Sequence, residues 1–241
     1  MAIWVILPAF NEACNLPPLL ESLGRVLERL PHPGRVVVVD DGSRDDTAAA
    51  AMRHAGVLPL VVIAHGENRG LARAVETGLR WVLGWAEPDD VIVTMDADNT
   101  HPAGLIVPMV EAVRRGADLV IASRYVTGGC EEGVPALRRA LSLGIGLLMR
   151  LRFGVPGVRD YTSGYRAYRA SLLRRAILAY GSRLVESAGF TVMAELLVKL
   201  RPFHPRVVEI PLHLRYDQKG GPSKMPVLRT VREYLGLLRG W

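Results

Sequence analysis

Short, continuous runs of β-branched and other apolar residues, each followed by a longer helical pattern, are the feature that most constrains the fold. This pattern occurs three times in the first half of the chain, with apolar runs at 3–7, 36–39 and 60–64 and helical patterns at 15–30, 45–54 and 71–84. A strand that is apolar at every position is buried on both faces. Helices on each side of a mostly parallel sheet provide that burial. The sequence therefore predicts an α/β fold with an open, mostly parallel, Rossmann-like sheet.

The rhythm of strand and helix changes after a run at 91–95, a helix over 103–114 and a further run at 118–122. A long glycine-rich loop over 126–135 follows, which is a length typical of functional or mobile segments, and we interpret it as a possible lid. The rest of the chain predicts helices at 136–152, 171–179 and 191–200, a strand at 207–212, a glycine-rich loop at 217–223 and an amphipathic helix at 227–238. Without an internal repeat or a clear linker, residues 1–241 are predicted to form one domain.

Composition places the protein in the cytosol. Nearly half of the 241 residues are apolar, which is enough for a sizeable core. The two cysteines, Cys14 and Cys130, cannot form a disulfide framework. The first residues lack the basic region of a signal peptide. The most apolar later stretch, 140–151, is too short to cross a bilayer, which takes about 20 residues.

The net charge of +6 comes from arginine, with nine arginines between residues 136 and 175 against one acidic residue, Asp160. Such an excess favours contact with phosphate, anionic lipid or nucleic acid, although an ordinary solvated basic surface explains it equally well. A nucleic-acid-binding protein would leave the acidic motifs described below unexplained, and the chain has no recognisable nucleic-acid motif. We therefore expect no nucleic-acid partner.

The segment Asp96-Ala97-Asp98 directly follows the apolar run at 91–95. Two carboxylates this close repel each other unless a cation lies between or beside them. A divalent ion that also holds two phosphates prefers oxygen ligands of this kind, which makes Mg²⁺ or Mn²⁺ the expected cofactor. An alternative is that Asp98 only caps the helix that begins near Pro102.

Polar residues also follow the first two strands. The first strand ends in Pro8-Ala9-Phe10-Asn11-Glu12 and the second in Val39-Asp40-Asp41-Gly42-Ser43. A carboxylate here can accept hydrogen bonds from a nucleobase, and Phe10 can offer it an apolar face. Asp41 could instead form an Asx turn before the second helix. The first turn lacks both Gly-x-Gly-x-x-Gly and the P-loop pattern, which argues against a dehydrogenase or an NTPase.

Six segments stand in order and at normal spacing within residues 3 to about 228: Pro8-Ala9-Phe10-Asn11-Glu12, Val39-Asp40-Asp41-Gly42-Ser43, Gly66-Glu67-Asn68-Arg69-Gly70, Met95-Asp96-Ala97-Asp98, Ser123-Arg124-Tyr125 and Ser163-Gly164-Tyr165-Arg166. Together they resemble glycosyltransferase family 2, and within it the dolichyl-phosphate mannose synthases. The resemblance implies a GT-A fold and a metal-dependent, inverting transfer of a hexose from a nucleotide-diphosphate sugar to a polyprenyl phosphate. Mannose from GDP-mannose is the first expectation; UDP-glucose, another donor or a non-lipid hydroxyl acceptor is the alternative.

The resemblance also implies roles for individual residues. Residues 1–125 would form the nucleotide-sugar-binding part and 126–241 the acceptor-binding part. The expected nucleotide-sugar contacts are Pro8, Phe10, Glu12, Val39, Asp41, Asp96, Ala97, Asp98, Arg124, Arg215 and Lys224. Asp96 and Asp98 would hold the metal and, with Arg124, carry catalysis. Arg138 and Ser142 match positions near the acceptor phosphate, and arginine suits this task because its planar fork grips phosphate oxygens.

The sequence departs from the family at two places. Thr100 stands where the similar synthases often have a glutamine metal ligand, which puts the third protein ligand in doubt. The spacing from Arg215 to Ser223 is longer than expected, so Arg215 is a less certain match than Lys224. A phosphate acceptor needs no strong base, whereas a hydroxyl acceptor would need one, with Asp160 and Glu195 as candidates.

The predicted helix over 136–152 carries an apolar stripe of leucines and isoleucine at helical spacing with arginines around it, made of Leu137, Leu141, Ile145, Leu148 and Leu151. Such a stripe most often faces the core. An apolar face flanked by arginines also suits a surface that rests on anionic lipid. The sequence leaves both interpretations open, and the second predicts peripheral contact with the inner face of the cell membrane.

Overall fold

A central β-sheet organises the protein, whose computed structural model describes residues 1–218 and 227–239. In this described part the sheet contains β1 (Ile3–Ala9), β2 (Gly34–Asp40), β3 (Leu60–Ala64), β4 (Val91–Thr94), β5 (Leu119–Ser123), β7 (Arg166–Arg169) and β8 (Val207–Pro211). Two short strands, β6 (Cys130–Glu132) and β9 (His213–Arg215), pair with each other in a separate ribbon.

Helices cover both faces of the sheet. Their bounds are α1 (Leu16–Leu27), α2 (Thr47–Met52), α3 (Leu71–Leu83), α4 (Ile106–Arg114), α5 (Ala136–Phe153), α6 (Ala170–Tyr180), α7 (Val192–Leu200) and α8 (Val227–Arg239). In α1, for example, leucines at 16, 19, 20, 23 and 27 follow helical spacing and are all buried. These elements match the predicted helices within a few residues, and the predicted α/β class is confirmed.

The strand order is β3-β2-β1-β4-β7-β5-β8, and all neighbours are parallel except β7, which runs antiparallel between β4 and β5. The sequence did not indicate β7, because Arg166-Ala167-Tyr168-Arg169 is no apolar run. The Arg166 side chain is fully buried, and its guanidinium donates to the carbonyls of Met193 and Tyr161. Those carbonyls supply the polar partners that let a charged residue lie within the sheet.

The core lies on both faces of the sheet, as the continuous apolar runs require. Along β1, Ile3, Val5 and Leu7 belong to the cluster that packs under α1 and α4, whereas Trp4 and Ile6 belong to the cluster under α3, α6 and α7. Successive side chains of a strand point to opposite faces, and residues 3–7 of β1 are buried on both of them. The unbroken apolar run is thus a consequence of the sheet's central position.

The segment predicted as an irregular lid contains β6. This strand pairs in parallel with β9, with Glu131 in register with Leu214. The β6–β9 ribbon also contacts the Asp96 loop, because the backbone N–H of Arg215 donates to the carbonyl of Thr100 at 3.1 Å. The predicted loop at 217–223 begins in a short 3₁₀ turn at 216–218 and then lies outside the described residues.

Helix α5 exposes much of its apolar stripe. Leu137, Leu148 and Leu151 are 73%, 46% and 76% exposed, so the core-facing interpretation is wrong for these three residues. Its opposite side, with Met149 and Phe153, is buried against the rest of the protein. No helix within residues 1–218 and 227–239 is long and apolar enough to cross a membrane.

Gly78 sets how closely α3 approaches the sheet. A Cβ at this position would lie 2.5 Å from Cγ2 of Ile6 and 3.3 Å from Cγ2 of Val39. Gly78→Ala should therefore lower the free energy of unfolding by about 1–3 kcal/mol through overpacking. Urea unfolding followed by circular dichroism measures this change.

Gly24 in α1 is the matched control, because a Cβ there meets no atom within 4 Å. Gly24→Ala should stabilise the protein by about 0.5–1 kcal/mol through helix propensity alone. Equal stabilisation by both substitutions would show that the close approach at Gly78 is not a packing constraint.

Candidate active site

The carboxyl ends of β1, β2, β4 and β5 meet at one edge of the sheet, and a cavity of about 590 Å³ opens there. Ligands of open α/β sheets bind at this edge. The cavity brings together ten of the predicted site residues, namely Pro8, Phe10, Glu12, Asp41, Asp96, Ala97, Asp98, Arg124, Arg138 and Ser142. Residues far apart in the chain therefore line one continuous space.

Three predicted nucleotide-sugar contacts do not fall in this group. Val39 is fully buried, and its side chain packs in the core on the α3 side of the sheet. Arg215 does not line the cavity. Its guanidinium pairs with Asp217 and Glu132 instead. Lys224 lies outside the described residues.

Asp41 is held rigidly at the end of the cavity that β1 and β2 form. Its carboxylate accepts the backbone N–H groups of Arg69 at 2.9 Å and Gly70 at 2.8 Å, and it contacts Nδ1 of His65 at 2.7 Å. The Asx interaction considered for Asp41 is instead made by Asp40, which accepts the N–H of Ser43. Asp41 is therefore a preorganised acceptor at the cavity wall.

The loop after β1 is held by hydrogen bonds that its backbone donates to side chains in the loop after β2 and at the start of α2. The backbone N–H of Asn11 donates to Oγ of Ser43, and the N–H of Glu12 donates to Oγ1 of Thr47, both at 2.8 Å. Asn11 has a positive φ of 53°, a conformation that asparagine tolerates better than most residues. These bonds position Phe10 and Glu12 at the cavity.

The Asp96-Ala97-Asp98 segment forms a tight turn after β4. Asp98 is largely buried, and its Oδ1 accepts the hydroxyl of Thr100 at 2.7 Å. Asn99 has a positive φ of 62°, so the turn includes a left-handed residue of the kind that clusters at functional sites. Thr100 thus orients Asp98.

His101 holds the backbone of Asp96 in place. Its Nδ1 accepts the backbone N–H of Asp96 at 3.1 Å, and its ring stacks on Tyr165 with centroids 5.0 Å apart. The Tyr165 hydroxyl donates to the carbonyl of Pro102. These contacts give His101 a structural role, and the residue also lines the cavity.

The donor set at this turn fits a magnesium or manganese ion held jointly with a substrate. Among the described residues no group of three or more His, Cys, Asp or Glu side chains is placed to hold a metal by itself. Mg²⁺ usually binds through one or two carboxylates together with substrate phosphates and waters. The cavity-lining carboxylates of Asp96 and Asp98 match that pattern.

Arg124 is fixed by a buried carboxylate. Its Nε and Nη2 each donate to Asp160 at 2.8 Å, and Nη2 also donates to Thr162. Burial alone would raise the pKa of Asp160, but Arg124 and backbone donors outweigh it and hold that pKa below its ordinary value. Burial likewise opposes the charge of Arg124, and the pairing raises its pKa above the ordinary value. Both groups stay charged.

The part of the cavity predicted to bind the acceptor contains Ser142 on α5. Tyr125 donates its hydroxyl to Oγ of Ser142 at 3.1 Å, and Oγ1 of Thr162 lies 3.0 Å from the same atom. Arg138, one turn earlier, donates to the hydroxyl of Tyr216 at 2.7 Å. Arg138 therefore lines the cavity with a fixed guanidinium and is not an ordinary solvated helix residue.

Neither candidate base stands ready to accept a proton. Asp160 is fully buried and bound to Arg124. Glu195 pairs with Lys199 at 2.7 Å and accepts the backbone N–H groups of Glu186 and Ser187. Both candidate carboxylates are therefore engaged in ion pairs.

Several residues that line the cavity were not predicted from the sequence. Glu131, Thr162 and Tyr216 line the cavity but lie in segments without a recognisable motif. Gly164 was part of a quoted motif, and a Cβ there would lie 3.1 Å from Oδ1 of Asp96. Because β7 runs antiparallel, the residues that precede it arrive at the same edge as Asp96, and sequence order gives no sign of this.

Comparison with known proteins agrees with this architecture. Residues 4–177 match the model of glycosyl transferase family 2. The chain is 34% identical over 238 residues to the dolichol-phosphate mannosyltransferase of Pyrococcus furiosus, covering 98% of this chain and 62% of that protein. It is 36% identical over 226 residues to the undecaprenyl-phosphate mannosyltransferase of Micrococcus luteus, covering 93% and 88%. It is 37% identical over 239 residues to the polyprenol monophosphomannose synthase of Mycolicibacterium smegmatis, covering 98% and 85%.

The fold is shared with glucosyl-3-phosphoglycerate synthase from Mycobacterium tuberculosis, whose crystal structure contains Mn²⁺, UDP and phosphoglyceric acid. The TM-score is 0.67 at 22% identity, over 99% of this chain and 78% of that one. The mixed α/β architecture is thus the GT-A fold. The chain belongs to glycosyl transferase family 2 and is a glycosyltransferase.

The Arg124–Asp160 pair should dominate local stability. Asp160→Asn keeps the shape but leaves a buried cation without its counter-charge, which should lower the free energy of unfolding by roughly 3–5 kcal/mol at neutral pH. Because the folded pKa of Asp160 is depressed, its contribution is present above the unfolded pKa of about 3.9 and is lost as pH falls through the lower folded value. The free energies of unfolding of parent and variant should therefore differ less near pH 3 than at neutral pH, which urea unfolding at both pH values measures.

Asp89→Asn is the matched control, since Asp89 is an exposed aspartate that pairs with Arg169 at 3.3 Å. Its effect should stay within about 0.5 kcal/mol. A parent–variant difference for Asp160→Asn that does not change between neutral and acidic pH would contradict the charged pair.

Proposed function

We propose that this glycosyltransferase transfers a hexose, with inversion, from a nucleotide-diphosphate sugar to a polyprenyl phosphate. The observation that carries the proposal is that Asp96, Asp98, Arg124, Arg138 and Ser142 all line the same cavity. The cavity thus contains carboxylates suited to a metal-bound diphosphate. It also contains basic and hydroxyl groups suited to a second phosphate. The names of the relatives from Pyrococcus, Micrococcus and Mycolicibacterium support the same acceptor class.

The donor binds along the edge formed by β1, β2 and β4. Pro8, Phe10 and Glu12 line one wall for the nucleoside, and Asp41 presents a fixed carboxylate to the base. Asp96 and Asp98 hold Mg²⁺ or Mn²⁺ with the diphosphate. When bound, that ion neutralises the charge that grows on the leaving nucleoside diphosphate.

The acceptor phosphate binds against α5. Ser142 can donate or accept a hydrogen bond there, and Arg138 supplies a cation whose direction the Tyr216 hydroxyl sets. Arg124 keeps its charge because Asp160 sustains it. These residues bring two anions to within reacting distance, which is positional and electrostatic catalysis.

The engagement of both candidate bases in ion pairs is consistent with a phosphate acceptor. A phosphate oxygen is already anionic at neutral pH, so it attacks the anomeric carbon directly while the bond to the diphosphate breaks. Asp160 and Glu195, the two carboxylates considered as bases, are both engaged in ion pairs. A hydroxyl acceptor remains the alternative, and it would require a base from elsewhere in the cavity.

Mannose from GDP-mannose is the proposed donor, since the three relatives that carry this argument are named for mannose transfer. UDP-glucose is the alternative, because Asp41 can accept hydrogen bonds from guanine or uracil. Peripheral contact with the inner face of the cell membrane completes the proposal. The exposed leucines of α5, with Arg150 and Arg152 beside them, form a surface suited to anionic lipid.

Asp98 tests the donor site. Asp98→Ala should lower transfer by about 100-fold or more, because it removes a carboxylate that acts on the developing charge. The assay incubates GDP-mannose or UDP-glucose with polyprenyl phosphate in Mg²⁺ or Mn²⁺ and measures the glycolipid formed. Asp89→Ala, at the opposite end of β4, is the control and should match the parent. If Asp98→Ala transferred sugar as well as the parent, the metal assignment would be wrong.

The α5 surface tests membrane contact. Leu147 and Leu151 are 58% and 76% exposed, and burying a leucine side chain in an apolar medium contributes about 1.5–3 kcal/mol. Replacing both with glutamine should weaken flotation with anionic vesicles containing polyprenyl phosphate by at least about tenfold.

Leu178→Gln is the matched control, because Leu178 is 86% exposed on α6 and should not affect flotation. A parent protein that does not float with anionic vesicles at physiological salt, with or without polyprenyl phosphate, would refute peripheral membrane contact.

A further inference from the structure

Glu131 is a buried carboxylate that lines the cavity without a hydrogen-bond partner among the described residues. Its side chain is 3% exposed, and neither oxygen accepts a hydrogen bond. The nearest cations are Nε of Arg139 at 3.4 Å from Oε1 and Nη1 of Arg124 at 3.7 Å from Oε2. These distances allow ion pairing but exceed a good charge-assisted hydrogen bond, which is about 2.7–2.9 Å.

The position of Glu131 follows from strand alternation. In β6, Cys130 and Glu132 are exposed, so the residue between them points to the opposite, inward face. Its register partner on β9 is Leu214, which is buried and also lines the cavity. The inward face of the β6–β9 ribbon therefore presents one apolar and one anionic side chain to the bound substrates.

A buried carboxylate without hydrogen bonds is costly, because desolvation is not offset by donors. An apolar residue at this ribbon position would avoid that cost. Arg124 does not offset the desolvation of Glu131, since its Nε and Nη2 donate to Asp160. The cost is offset when a bound molecule supplies hydrogen-bond donors to Oε1 and Oε2.

The chemistry of the proposed substrates identifies which part supplies these donors. A carboxylate repels the donor diphosphate and the acceptor phosphate, and a polyprenyl chain has no donors to give it. The base is expected at Asp41, at the end of the cavity formed by β1 and β2. The transferred hexose is neutral and rich in hydroxyl groups, so it is the remaining part that a carboxylate can bind favourably.

We infer that Glu131 is a specificity-determining residue that accepts hydrogen bonds from hydroxyl groups of the transferred sugar. This inference rests on the proposed function for the donor class and does not depend on the acceptor. On sugar binding, the carboxylate gains donors while Arg124 and Arg139 continue to balance its charge.

The test compares binding of a nucleotide sugar with binding of its nucleotide. Isothermal titration in Mg²⁺ uses the pairs GDP-mannose with GDP and UDP-glucose with UDP, on the parent, Glu131→Ala and Glu131→Gln. In Glu131→Ala, the affinity of the nucleotide sugar relative to its nucleotide should fall roughly 10- to 100-fold, because a hydrogen bond to a charged group is lost. In Glu131→Gln this relative affinity should lie between those of the parent and Glu131→Ala, since the amide oxygen still accepts a hydrogen bond. The affinity for the nucleotide alone should stay unchanged.

Deoxy analogues of the bound donor locate the contact. The analogue that lacks the contacted hydroxyl should bind the parent more weakly and should respond little to Glu131→Ala, because the partner is already missing. Glu111→Gln is the matched control, as it removes a carboxylate from the exposed side of α4. Equal melting temperatures of the variants confirm that they are folded.

An unchanged affinity ratio in Glu131→Ala would overturn the inference. If that variant also lost transfer, Glu131 would act at the acceptor, as a base or beside the phosphate. Failure of the proposed function would give different results. A parent that binds a nucleotide sugar but does not glycosylate polyprenyl phosphate would refute the acceptor and leave Glu131 unaffected, whereas a parent that binds neither sugar would refute the donor class and this inference together.

Discussion

The buried ion pair between Arg124 and Asp160 connects segments on two sides of the cavity. Arg124 follows β5, and Asp160 precedes the antiparallel strand β7, so the pair joins segments 36 residues apart. Through Thr162, which contacts Arg124 and Ser142, the same network reaches α5. A buried charge needs its partner in place, and the pair therefore keeps the acceptor side in a set position relative to the sheet.

This constraint explains why the cavity has a polar wall in a protein with such an apolar sheet. The antiparallel insertion of β7 brings its preceding residues to the edge where the parallel strands end. Gly164 then approaches Asp96 closely, and Asp160 approaches Arg124. One reversed strand thus completes a site that parallel strands alone would leave open on that side.

The fold was largely predictable from the sequence, because continuous apolar runs are a direct consequence of burial on both sheet faces. The meeting of Asp41, Asp96 and Asp98 at one cavity was also predictable, since they follow strands whose carboxyl ends must meet at one edge. Val39 belongs to the motif at the end of β2, but strand alternation directs its side chain into the core, and its contact with the nucleotide sugar stays a prediction.

The sequence by itself determined the fold class, the edge at which the cavity opens and the carboxylates placed there, because these follow from local periodicity and from where strands end. Only the tertiary structure decided the partners of Arg124, the exposure of the α5 leucines and the position of Glu131. These depend on contacts between segments distant in the chain, such as the register of β6 with β9. Periodicity within one segment carries no information about which other segment it meets.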